Sequence, residues 1–183
     1  MKEKIKLKKG DKKFLWISII GFTISVLLGF FIEIKIMMII LFSVLLVSGI
    51  FIYKNKVGQE LIIAFLIAIG LTSYFLYSYT SFNIFLGKIN LFPLISWTFG
   101  LVLLREVYER INVKNKFVLT SLLYWIVLLV VEYIGYYLFK IELNTNFPSL
   151  FNLGVIHGPM GMKVFYLLAG PTYLWITNYL KVE

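Results

Sequence analysis

Six apolar runs alternate along the chain with short stretches that hold most of its charge. They cover roughly residues 14–32, 36–53, 60–80, 91–109, 117–139 and 161–180. A helix that crosses a bilayer needs about 20 mostly apolar residues, and each run approaches that length. Small residues repeat at a spacing of four. Gly21, Ser25 and Gly29 do so in the first run, and Ala64, Ala68 and Thr72 in the third, with Glu60 a turn below; Ser96 and Gly100 sit in the fourth. Lipid gives helices no hydrophobic reason to associate, so small residues that admit close backbone approach mark the expected contact faces. The pattern predicts an all-α, polytopic integral membrane protein with six transmembrane helices in a single domain, residues 1–183.

The linkers fit this division. Glu33 and Lys35 mark a tight hairpin between the first two runs, "KNKVGQ" joins the second and third, and "ERINVKNK" joins the fourth and fifth. The longest connection, 140–160, is apolar enough to be expected to fold back as a lid or re-entrant piece. The basic head 1–13 looks like the start of a signal peptide. The run behind it is long and lacks an A-x-A-like cleavage site, so a retained helix is expected. In the sixth run Pro171 leaves the Leu167 carbonyl without its helical donor, with Thr172 and Tyr173 as nearby candidates to satisfy it.

Charge adds orientation. Lysine and arginine gather in cytoplasmic loops. With six helices and the N-terminus inside, 14 of the 18 basic residues fall inside, and only Lys35, Lys88, Lys140 and Lys163 fall outside. Both termini are therefore expected in the cytoplasm, in an N-in/C-in arrangement at the cell membrane. Arg105, at the end of the fourth run, is expected to reach the inner headgroups.

Composition confirms the class and removes several chemistries. Hydrophobic residues make up 60% of the chain and mean hydropathy is +0.89, where soluble domains average about 45–50% apolar. Cysteine is absent and His157 is the only histidine, which excludes disulfides and multi-histidine metal sites. No metal site and no cofactor is expected. The net charge of +9 lies between oily segments, so anionic inner-leaflet headgroups, and not nucleic acid, are the expected partner. There is no G-x-S-x-G, H-E-x-x-H or P-loop.

One acid stands inside the fifth run. Glu132 costs about 3 kcal/mol near a helix centre, while each Leu, Ile, Val or Phe returns about 0.3–0.6. The fifth run carries 14 of those residues, so it inserts regardless. Intramembrane acids face the bundle or a cavity. Tyr136 lies one α-helical turn above, Tyr74 and Tyr77 near the outer end of the third run, and His157 in the outer loop. These residues are the candidate ligand-binding set, with Glu132 and His157 also the candidate acid–base pair. The first reading is binding or translocation of a small solute through an outward-facing pocket around Glu132, with partner membrane subunits. Two alternatives stay open: a membrane enzyme doing acid–base chemistry on a lipid or isoprenoid, and a structural or assembly subunit.

Overall fold

The structure is a computed structural model that describes residues 13–53, 55–144 and 147–180. Most of the basic head, residues 1–12, lies outside the described residues. Six helices follow in order: α1 (Lys13–Leu28), α2 (Ile34–Tyr53), α3 (Asn55–Phe75), α4 (Leu91–Arg110), α5 (Lys116–Tyr133) and α6 (Met160–Tyr179). Four stretches among the described residues are long and apolar enough to span a membrane: Ile34–Phe51, Gly58–Phe75, Leu91–Arg110 and Lys116–Leu138. The apolar part of α1 is shorter, Trp16–Leu28.

The small-residue faces pack as helix contacts. Ala64, Ala68 and Thr72 are fully buried on α3, which lies against α4. Gly21 lets Leu41 and Leu45 of α2 come close to α1, and Ser25 is buried on the same face. Gly100 departs from the expectation. It is exposed, and nothing lies near the position a Cβ would occupy. Phe42 of α2 stacks on Phe99 of α4 with ring centres 4.4 Å apart, at the heart of the larger apolar core. By contrast, α5 is peripheral and buries only Thr120 and Ser121.

Sequential helices pack with the start of one near the finish of the next, as where Glu60 early in α3 meets Arg105 late in α4. One end, the terminal end, therefore holds the start of α1 and the finish of α6. The other, the loop end, holds the three connections before α2, α4 and α6. There the backbone is irregular. Leu76 adopts a left-handed conformation (φ 46°) and ends α3, so Tyr77 lies beyond the helix that the sequence pattern assigned to it. A two-residue hairpin, β1 (Phe85–Leu86) with β2 (Ile89–Asn90), turns at Gly87, whose φ of +62° suits glycine. Asn90 then caps α4 by accepting from the Phe92 N–H at 3.1 Å. Its amide also donates to the Tyr77 carbonyl and the Asn83 side chain. The loops join where the Thr80 N–H donates to the Glu142 carbonyl and the Asn144 N–H to the Ser78 carbonyl. Leu150, Val155 and Ile156 tuck under the loop end beside Leu71, Met162 and Tyr166.

Candidate functional site

The last turn of α5 is not α-helical. Ile134–Leu138 forms a π turn, in which the Phe139 N–H bonds to the Ile134 carbonyl five residues back. Such turns recur at functional sites because they shift side-chain register. The shared face predicted for Glu132 and Tyr136 assumed four-residue spacing in an unbroken α-helix. With the π turn between them, the two side chains serve different neighbours.

Tyr136 meets His157. Their rings stack with centres 4.1 Å apart and planes 16° from parallel. Ile156, 1% exposed, holds φ at 52° immediately before the histidine. That conformation is strained for a β-branched residue. It turns the chain so that Ile156 is buried while the next side chain lies on α5. Gly154 (φ +72°) belongs to the same turn, and a Cβ there would collide with the Tyr137 hydroxyl. The His157 Nδ1 is enclosed and finds no hydrogen-bond partner among the described residues. Burial and the nearby Lys163 charge push the imidazole below its usual range, while Glu142 pulls the other way.

An open hollow of about 620 Å³ lies beside this pair, with Tyr136, His157, Glu142, Thr80, Asn144 and Phe147 in its lining. Glu142 is the acid the sequence pattern did not single out. It sits in the loop that pairs with Thr80, and its charge reaches His157.

Glu132 stands in a different environment. It is partly buried, and its charge is felt at Tyr77, Tyr79, Tyr124 and Tyr166. These tyrosines form a packed group. The Tyr77 hydroxyl donates to the Tyr166 hydroxyl at 3.0 Å, and Trp97 meets Tyr166 edge to face at 4.7 Å. The structure thus brings Tyr136 and His157 together in the hollow, whereas Tyr77 packs with Tyr166 and Glu132 is not part of the lining. Tyr74 joins neither group. It is 79% exposed on the outer surface of the bundle.

The Leu167 carbonyl freed by Pro171 in α6 is satisfied by α5. The Trp125 indole N–H donates to the Leu167 carbonyl at 2.8 Å, and the Tyr124 hydroxyl donates to the Tyr166 carbonyl. The Tyr124 ring lies against Gly170, where a Cβ would come within 2.7 Å of it. The donors therefore come from a neighbouring helix, and not from Thr172 or Tyr173 as the local sequence suggests.

The terminal end carries a polar cluster in which the i,i+4 spacing of Arg105 with Glu109 and of Glu106 with Arg110 gives ion pairs, as the sequence suggests. Arg105 does not reach for headgroups. It is buried and pairs with Glu60 of α3 at 3.2 Å and with Glu109 at 3.2 Å. It also donates to the Asn178 side-chain carbonyl of α6 at 2.6 Å. Asn178 in turn donates to the Tyr108 hydroxyl. Arg110 pairs with Glu106. Glu60 is fully buried. The signal for this pair lay in the third run, where Glu60 falls on the same face as Ala64 and Ala68.

Compared with family models, with curated proteins and with solved structures, the chain matches none.

Proposed function

We propose that this is a six-helix protein of the cell membrane, with both termini cytoplasmic, that binds a small solute arriving from outside and passes it on with partner subunits. The observation that carries this reading is the hollow at the loop end, built around the Tyr136–His157 stack and open to small molecules. Concave sites with a few convergent polar groups are where small ligands bind. Four apolar helices and the 14-to-4 division of basic residues support the membrane setting and its orientation. The basic inner side suits anionic headgroups. Glu132, a turn nearer the middle of α5, is the next polar station inward. Partner subunits would meet α5, which exposes most of its apolar length.

The test is a thermal-shift screen of the purified protein in detergent. The screen covers amino acids, amines, sugars, carboxylates and nucleosides at millimolar concentration. A restricted set is expected to stabilise the wild type, and Tyr136→Leu is expected to abolish the shift. A flat screen overturns the binding reading. Reporter fusions at Glu183 and in the 140–160 loop are expected to give opposite signals, and equal signals overturn the orientation.

A further inference from the structure

We propose that the loop-end hollow selects a small organic monocation, a protonated or quaternary amine, with Glu142 as counter-charge and the Tyr136 ring as an aromatic wall. This rests on the reading of the hollow as a solute site and adds the chemical class of the solute. The charge of the lining points one way. Among the lining residues Glu142 alone is an acid, and neither lysine nor arginine is present. No ion pair engages its carboxylate among the described residues. Lys163, the nearest basic influence on His157, is buried, outside the lining, and donates to the Ser149 carbonyl at 3.2 Å.

His157 does not add a competing positive charge. A second proton would put an N–H on Nδ1, which is enclosed and has no acceptor among the described residues. A buried donor without a partner is disfavoured, which favours the neutral ring. A neutral imidazole stacked on a phenol presents electron-rich faces, and Phe147 adds a third aromatic ring to the lining. A cation over such faces gains attraction that a neutral solute of equal shape does not. The fold uses the same contact elsewhere: the Lys35 ammonium lies 5.1 Å from the centre of the Tyr79 ring, and that of Lys116 lies 4.2 Å from the centre of Tyr108. The backbone at Glu142 is fixed by the Thr80 N–H at 2.9 Å, so its carboxylate is held at the rim and not on a loose tail.

The experiment uses the full chain in detergent micelles and three probes of nearly one shape: choline, its uncharged carbon isostere 3,3-dimethylbutan-1-ol, and the anion 3,3-dimethylbutanoate. Binding is measured by isothermal titration calorimetry. Choline is expected to bind roughly tenfold or more tightly than the alcohol, the scale of a charge and cation–π contact combined. Glu142→Gln keeps shape and backbone bonding, and is expected to remove that preference while leaving the weak binding of the alcohol. Tyr136→Leu is expected to weaken choline with helicity unchanged by circular dichroism. Equal binding of choline and the alcohol, tighter binding of the anion, or a preference that survives Glu142→Gln overturns the cation assignment. If none of the three binds, the assignment also falls. The broader screen then separates the two readings: another solute whose shift is lost in Tyr136→Leu leaves the site standing without its charge preference, and no solute at all removes both.

Discussion

The two ends of the bundle solve opposite problems with similar residues. At the terminal end, buried charges are matched. Arg105 meets Glu60, Glu109 and Asn178 across three helices, and Arg110 meets Glu106. At the loop end the backbone is strained and a polar hollow stays open. All five non-glycine residues with positive φ among the described residues lie there: Leu76, Lys140, Phe151, Asn152 and Ile156. The π turn is there as well, and so are the Glu142 carboxylate and the Nδ1 of His157, neither of which has an ion-pair or hydrogen-bond partner among the described residues. Strained backbone costs on the order of 1–3 kcal/mol per residue and persists where surrounding packing over-determines it. The comparison teaches that this fold gathers ion pairs between helices at one end and strained backbone around an open hollow at the other.

The largest effect should follow from breaking the charged end. Arg105→Leu leaves Glu60, which is fully buried, without its guanidinium partner. Removing one member of a buried pair costs about 3–5 kcal/mol. Denaturant unfolding of the solubilised protein should show a loss on that scale. The double variant Glu60→Leu with Arg105→Leu should recover a large part of it, because no buried charge is then stranded there. Glu142→Leu at the loop end should cost far less. Equal losses for Arg105→Leu and Glu142→Leu would erase the contrast between the ends.

A smaller effect tests the joint between them, where α5 holds the kink of α6. Gly170→Ala drives a methyl into the Tyr124 ring, with the nearest atom 2.7 Å away. Overpacking of this kind costs about 1–3 kcal/mol. Gly100→Ala meets nothing within 4 Å and should be neutral or slightly stabilising, as alanine is the better helix former. The difference in melting temperature between the two variants is the readout. Indifference to both would mean that α5 does not bear on the kink.

Much of the fold was legible because apolar runs and their interruptions are local signals. The six predicted segments lie within a few residues of the helices, apart from the late start and late finish assigned to α3 and the overlong end assigned to α1. The end of α3 was hidden because Leu76 takes a left-handed conformation without the glycine that usually announces one. Pairings between helices were less legible for a physical reason. A helix in lipid is apolar on all sides, so hydrophobic periodicity does not say which face meets which neighbour. Glu60 could be assigned to a face through its small-residue stripe, yet Arg105 lies 45 positions away and looked like any basic residue near a helix end. The donors from Trp125 and Tyr124 to α6 were hidden for the same reason. Within the candidate site, Tyr136 and His157 were named and do meet. Glu142 was missed because one acid in a loop carries no signal until the loop is folded against Thr80.

The smallest effect is a titration, and it probes the open end directly. His157 has its proton affinity lowered by burial first and by Lys163 second, with Glu142 opposing. The unfolded imidazole titrates near pH 6.5. As pH falls through that value the unfolded chain takes up the proton before the folded one does. Stability linked to this group is therefore constant above about pH 7 and declines as pH drops below about 6.5, until the lower folded value is passed. Other carboxylates contribute their own slopes at acid pH, so the quantity to measure is the difference between wild type and His157→Gln. Glutamine cannot titrate in this range. Melting temperatures from pH 7.5 to pH 5 should converge as acid removes the wild-type advantage, and affinity for a cationic probe should fall only at lower pH, once the folded ring itself takes up the proton. A difference that stays constant across the range would mean that His157 titrates as it does in water, and that its enclosed Nδ1 has a partner in solution. The loop end would then be as well matched as the terminal end.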